Sequence, residues 1–391
     1  MRGTVKRQAA IAVTLIAFVV VCSFLLSFQL SVSSSMIGDQ ANTLSEPLSA
    51  KLRNILLIAN ENVLRIAPNN DLYPGGLWHN AMTFNGTIPG PLITANQGDT
   101  LNITLKNEGK LAHSLNFHAG FGPNHALSGV VSAGENKTWT MKVNYPGAFL
   151  YQCDGDNLNG MWEHIADGMY GGIVVKPPNK GSANEFYIAF NEIYDTHAHP
   201  PFAATSQSPV ANNNNISNNS SNNYTDTGSF DIQKFLARKP DVILTNGMAF
   251  RYISWIGTES RIVLNPDAEA FHVKAGELTR WYIFNAGPRN NIAFNFGAGL
   301  VKEATNFSSN YVGNNNGSDV SSDGALALGS SSPDIQDSQR HSYHSYDEVV
   351  SIPPGSGTIV EVTFPEAGTY FGNDHDVGSI LYGSGFVVIA E

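Results

Sequence analysis

Three stretches of this 391-residue chain occur twice, in the same order, and that repeat restricts the fold more than any other feature. GDTLNITLKNEG from Gly98 is matched by GELTRWYIFNAG from Gly276. VNYPGAFLYQCD from Val143 is matched by VTFPEAGTYFGND from Val362, and MYGGIVV from Met169 by LYGSGFVV from Leu381. Matches in a fixed order imply two copies of one structural unit. Inside the copies, apolar residues alternate with polar ones: Leu101, Ile103 and Leu105 in DTLNITLKN, and Trp139, Met141 and Val143 in KTWTMKVNY. GTIVEVTF and GFVVIAE near the C-terminus are apolar and rich in β-branched residues. Gly, Pro and Asn interrupt these runs about every eight to twelve residues, the rhythm of a β-sandwich or barrel. No long run of period 3.6 competes. The expected fold is all-β: two tandem Greek-key β-sandwiches, over 53–178 and 179–391, divided near KPPNKGSAN.

Composition narrows the setting. Only 14% of residues are charged and the formal net charge is −11, so no clustered Lys and Arg exist to neutralise phosphates, and nucleic acid is excluded as a partner. Arg2, Lys6 and Arg7 precede an apolar run from Ile11 to Leu30, long enough to cross a bilayer. Residues 1–30 read as a signal peptide or an uncleaved signal anchor, and 31–52 as a polar spacer. The bulk of the chain is then extracytoplasmic, membrane-anchored or secreted. Sequons at Asn85, Asn102, Asn136, Asn215, Asn223 and Asn306 agree with export. Asn/Ser-rich segments at about 203–230 and 303–346 read as low-complexity loops, and His341 and His344 in the second as solvated.

Cys153 is the one cysteine outside the N-terminal apolar run, so no intramolecular disulfide forms in the exported part. It is the third residue of the segment YQCDGDNLNGMWEHIADGM, which also holds His164 and Met169. Taken singly these are a buried thiol, a surface imidazole and a packed thioether. Together with His113 from AHSLNFHAG they supply what a blue-copper centre needs: two imidazoles, a thiolate and a weak axial thioether. His113 and His118 lie five residues apart, so period two points them to opposite faces of a strand and one core cannot hold both. The second copy has Leu381 near the Met169 position and no cysteine, so no such centre is expected there. His125, His197 and His199 read as loop residues, and His79 and His272 as structural ones without a sequence partner. Asp154, Asp156 and Glu163 read as acidic groups that solvate the ligand loop or modulate docking.

The chain from about Thr83 to Glu391 resembles the copper-containing nitrite reductases of the two-domain multicopper oxidase group. The resemblance rests on TFNGTIPGPLITANQGD, HSLNFHAG, PGAFLYQCDGDNLNGMWEHIADGMYGGIVV, PDVILTNG and GTYFGNDHDV. It implies two cupredoxin-like domains, a type 1 copper on His113, Cys153, His164 and Met169, a small redox protein as electron donor, and a homotrimer. It also implies a type 2 copper between subunits that reduces a small anion, nitrite, to nitric oxide. For that second site His118 matches one ligand and His375 the ligand contributed by a neighbouring copy. The remaining position is Gln152, beside the cysteine. The family's catalytic aspartate and histidine positions are occupied here by Asn116 and Asn295. Amides do not titrate near neutral pH, so proton delivery through these positions is lost. A trinuclear oxygen-reducing centre needs paired His-x-His motifs, and His197-Ala198-His199 has no such partner motif. The resemblance therefore implies an oxidoreductase with altered second-site chemistry, or an electron-transfer protein that keeps only the type 1 centre.

Overall fold

Alternation becomes burial in a simple way: Leu101, Ile103 and Leu105 are fully buried, while Asn102 and Thr104 between them are half-buried. Each such aliphatic side chain contributes roughly 2 kcal/mol of burial free energy, and together they fix which face of the strand turns inward. The structure is a computed structural model that describes residues 50–70, 73–120, 129–156, 159–178, 180–196, 227–258, 261–297, 299–306 and 349–391. The Ile11–Leu30 run, His125, His197, His199, His341 and His344 lie outside the described residues. Among the described residues no helix is long and apolar enough to cross a membrane.

The first sandwich begins with β1 (Leu52–Ala67), β2 (Leu77–Phe84), β3 (Ile93–Asn96) and β4 (Thr100–Asn107). It continues with β5 (Asn116–Phe117), β6 (Asn136–Lys142), β7 (Gly147–Gln152), β8 (Gly155–Asp156) and β9 (Asn159–Gly160). The short helix α1 (Met161–Ala166) and β10 (Tyr170–Lys176) close it. One sheet runs β2-β1-β4-β6 and the facing sheet β3-β10-β7-β5. Leu57, Leu101, Ile103, Phe149, Tyr151 and Ile173, drawn from both sheets, meet in the core between them.

The second sandwich contains β11 (Asn184–Ile193), the helix α2 (Ile232–Leu236), β12 (Val242–Thr245) and the ribbon β13 (Trp255–Thr258) with β14 (Arg261–Leu264). Next come β15 (Phe271–Val273), β16 (Leu278–Gly287), β17 (Ile292–Asn295), β18 (Leu300–Asn306) and β19 (Val350–Ile352). Then follow β20 (Ser356–Thr363), β21 (Gly368–Asp374), a 3-10 turn over Val377–Tyr382, and β22 (Phe386–Ala390). Its sheets run β12-β11-β16-β20-β18 and β15-β22-β21-β17-β19. The repeat is thus structural as well as sequential. β1 pairs parallel with β4 as β11 does with β16, and β7 pairs antiparallel with β10 as β21 does with β22. Trp281 stacks on Phe386 with ring centroids 5.3 Å apart in the second core.

A third apolar cluster joins the sandwiches: Ala148, Leu150 and Tyr170 of the first pack with Ala189, Leu244, Tyr282 and Phe284 of the second. The fit is close enough to require glycine at 247, where φ is +88° and a Cβ would sit 1.7 Å from the carbonyl oxygen of Ile88. The segments read as low-complexity loops carry structure at their edges. Gly228 bridges to His79 and Phe230 to Asp195, and β18 reaches Asn306.

Candidate metal centre

Cys153 follows the last residue of β7, and period two explains its inward aim. Tyr151 and Cys153 belong to the buried core of the first sandwich, on the same side as Phe117 of β5. His113 is held outside any named strand by a single bridge, its N–H donating to Val131 O at 3.2 Å and its O accepting from Val131 N at 2.7 Å. His164 lies in the last turn of α1, whose start is set by Gly160 in a left-handed conformation with φ +80°. Met169 is fully buried; its N–H donates to His164 O at 2.9 Å and its O accepts from Cys153 N at 3.1 Å. The loop ligands are therefore tied to one another through the main chain.

The side chains of His113, Cys153 and His164 converge, with one donor atom of each lying within 4.8 Å of the others. His164 Nδ1 is 3.2 Å from Cys153 Sγ and 3.3 Å from His113 Nδ1, and His113 Nδ1 is 3.8 Å from Sγ. Donors bound at about 2.0–2.3 Å to one metal stand roughly 3.4–3.8 Å apart, so these separations fit a shared ion. His113 and Cys153 are fully buried and His164 nearly so. Burial also sets the protonation states. It lowers the pKa of His113, and lowers that of His164 to about 4 with the help of neighbouring His113, so both imidazoles are neutral and offer lone pairs. Burial pushes the Cys153 thiol up to about 11, so taking a metal must release its proton. The N–H groups of Ser114 and Gly155, each 3.3 Å from Sγ, stand ready to receive the thiolate charge.

Glu61 completes this shell, and nothing in the local sequence marks it. Its Oε1 is 3.0 Å from His113 Nε2, which makes Nε2 the protonated nitrogen and turns the Nδ1 lone pair toward Cys153. Glu61 also accepts the N–H groups of Lys110 at 2.8 Å and Leu111 at 3.0 Å. Burial pushes its carboxyl up, but those donors and His113 together hold it below the ordinary range.

Residues 67–180 match the family model for multicopper oxidases. They form a multicopper oxidase domain. That domain contains the converging His113, Cys153 and His164, and Met169 as well. Among curated relatives, copper-containing nitrite reductase of Neisseria meningitidis serogroup A is 28% identical over 218 residues. This aligned stretch covers 54% of this chain and 46% of the relative, so the chain spans about half the length of the curated relatives it matches. Copper-containing nitrite reductase of Alcaligenes faecalis is 37% identical over 125 residues, 29% of this chain and 31% of the relative. The copper nitrite reductase structure from Nitrosomonas europaea superposes with a TM-score of 0.62 at 22% identity, covering 87% of this chain and 94% of the other. The Cu-containing nitrite reductase of Thermus scotoductus gives 0.59 at 20% identity over 88% of this chain and 62% of the other. At these identities the structural likeness establishes the two-domain cupredoxin-like fold. In sequence and fold the chain is thus similar to copper-containing nitrite reductases and multicopper oxidases.

The remaining positions sit elsewhere. His118 does not join the Cys153 group. Its N–H donates to Leu150 O at 2.9 Å, which sets it two residues along the strand from the Asn116–Gln152 pair. His118, Asn116 and Gln152 therefore occupy the face of the multicopper oxidase domain opposite to Cys153, toward the second sandwich. There His118 Nδ1 is 3.0 Å from Gly355 O of the second sandwich. His375 is exposed at the end of β21, its N–H donating to Ala293 O at 2.7 Å. Asn295 is buried on β17, opposite Asn373 of β21. Asp154, read as an acid that solvates the loop or modulates docking, is instead 3% exposed, because the side-chain amides of Asn116 and Gln152 donate to it. His79 likewise has partners that sequence did not disclose, the carboxylates of Asp167 and Asp195.

Proposed function

We propose that this protein is an exported copper oxidoreductase that passes single electrons through a type 1 copper held by His113, Cys153, His164 and Met169. The observation that carries the reading is the buried convergence of Cys153 Sγ with two neutral imidazole Nδ1 atoms. A thiolate with two imidazoles is the donor set that accommodates both copper oxidation states, and bound copper would supply the one-electron couple. The chain's own residues do the rest. The Glu61–His113 hydrogen bond holds the ring orientation, and the two sheets fix the donors so that little rearrangement accompanies a change of charge. Trp162, 39% exposed and two residues before His164, offers a small redox protein an aromatic contact close to the centre.

The onward site of this reading is formed by His118 and Gln152 with His375 of a neighbouring copy, in a homotrimer that reduces a small anion such as nitrite. His375 being exposed is consistent with a role across a subunit contact. Three amides favour a second reading, in which the protein is an electron carrier with little turnover. Gln152 offers a weaker donor than imidazole, and Asn116 and Asn295 have no proton to give. The copper-loaded protein should be blue through thiolate-to-copper charge transfer, and Cys153→Ala should abolish the band. A colourless copper-loaded protein overturns the type 1 assignment. Nitrite turnover well below that of a three-histidine enzyme supports the carrier reading, and equal turnover overturns it.

A further inference from the structure

The frame around the Cys153 centre is built twice, once with metal-binding side chains inside it and once without. β5 and β7 pair Asn116 with Gln152, and β17 and β21 pair Asn295 with Asn373 at the matching point of the second sandwich. Three residues before the first member of each pair stands His113 in one copy and Ile292 in the other. Directly after the second member stands Cys153 or Asp374. His113 bridges to Val131 as Ile292 pairs with Ile352. The N–H of Met169 donates to His164 O as that of Ser384 donates to Ser379 O. The second copy therefore places Ile, Asp, Ser and Ser where the first has His, Cys, His and Met.

What both copies keep is a brace made by one buried amide. Asn107, the last residue of β4 and fully buried, donates from Nδ2 to Leu111 O and to Val131 O, each at 2.8 Å. Its Oδ1 accepts the N–H of Gly109 at 2.9 Å. Asn285 on β16 likewise donates from Nδ2 to Asn290 O at 2.9 Å and to Ile352 O at 2.8 Å. Asparagine suits the place because its short side chain carries two donors and an acceptor. In the second sandwich the brace holds Ile292, which has no donor atom to aim. In the first it holds His113, which lies outside any named strand and has only its bridge to Val131. Val131 O accepts from Asn107 Nδ2 and, at 3.2 Å, from the N–H of His113, so one oxygen ties the amide to the main chain of the ligand.

We infer that Asn107 is a positioning residue for electron transfer, acting through Leu111 and Val131 to keep the His113 imidazole at a fixed distance from the other donors in both oxidation states. The inference rests on the reading that the Cys153 centre holds copper, and extends it to a neutral side chain outside that centre. Without the amide, Leu111 O and Val131 O lose a donor and the segment carrying His113 can recede. Imidazole suits Cu²⁺ and thiolate suits Cu⁺, so a slackened His113 weakens the oxidised state more than the reduced one. The potential of the centre should then rise.

The repeat supplies its own control, so the test compares the full-length copper-loaded protein with Asn107→Ala and Asn285→Ala. Each variant removes the same brace from one copy, and both should lower the denaturation midpoint by a similar amount. Only Asn107→Ala should reach the copper. It should hold Cu²⁺ about 10–100-fold more weakly against a chelator, with a raised reduction potential and an altered copper hyperfine splitting in electron paramagnetic resonance. Each tenfold of affinity lost for Cu²⁺ and kept for Cu⁺ raises the potential by about 59 mV. Should Asn107→Ala fail to fold, Asn107→Ser, which keeps one hydroxyl donor, is read in its place against Asn285→Ser. A wild type with no thiolate band overturns the copper reading and this inference with it. A wild type with the band overturns the inference alone if the Asn107 variant retains wild-type affinity and potential, or if the Asn285 variant shifts them equally.

Discussion

His79 gives the sharpest prediction about stability. Its ring is fully buried, with Nδ1 2.5 Å from Asp195 Oδ2 and Nε2 2.8 Å from Asp167 Oδ1. Burial alone would lower its pKa, but hydrogen bonds and charge from both carboxylates outweigh it and raise the value from 6.5 to about 9. A shift of that size corresponds to about 3 kcal/mol of folding free energy. The sign follows from the raised folded value. The stabilisation is complete below about pH 6.5, where the unfolded side chain is also protonated, and it is lost as pH rises through 9. His79→Gln removes the shared cation and leaves two buried carboxylates facing a neutral amide, so at pH 6 it should cost about 3–5 kcal/mol. Urea unfolding of the metal-free protein and the variant, at pH 6 and pH 9, checks this. The difference between the two proteins should shrink by about 3 kcal/mol at the higher pH, while pH effects of other groups cancel in the comparison. A difference that stays constant between pH 6 and pH 9 would refute an imidazolium at this position.

Three further changes have defined outcomes. Glu61→Gln keeps the shape of the His113 partner but removes its charge, and should weaken copper retention at the Cys153 centre about 10–100-fold in a competition with chelator. Gly247→Ala forces a Cβ against the Ile88 carbonyl in a left-handed conformation, and should cost about 3–5 kcal/mol, read as a lower denaturation midpoint. Gln152→His places an imidazole beside His118 and should raise copper occupancy of the second site, measured as metal per chain with the thiolate band unchanged.

Sequence disclosed what is local. Cys153, His164 and Met169 share one segment, so their chemistry and spacing are visible together, and His113 is marked by the five-residue spacing to His118, which sends the two histidines to opposite sides. The repeat disclosed the duplicated sandwich, because strand pairings are preserved between copies. What stayed hidden came from distant strands. Glu61 reaches His113 from 52 residues away, brought there by the parallel pairing of β1 with β4. His79 meets Asp167 and Asp195 across 88 and 116 residues. No periodicity within a strand encodes such contacts; only the sheet register does. Asp154 was misread for a different reason. An acid after the last residue of a strand is usually solvated, and here amides of two neighbouring segments, Asn116 and Gln152, hold it in the interior.

The second sandwich has no cysteine, yet the first depends on it for more than packing. Gly355 O sets the His118 tautomer, and Asp195 completes the charge around His79. Asp167, the other partner of His79, follows α1 and donates its N–H to Glu163 O at 2.8 Å, two residues before Met169. Through these atoms the second sandwich holds the end of the ligand loop and the ring of the outward histidine. Loosening the contact between sandwiches should therefore disturb both proposed metal sites together. Changes confined to the second core, around Trp281 and Phe386, should alter stability while leaving the thiolate band in place.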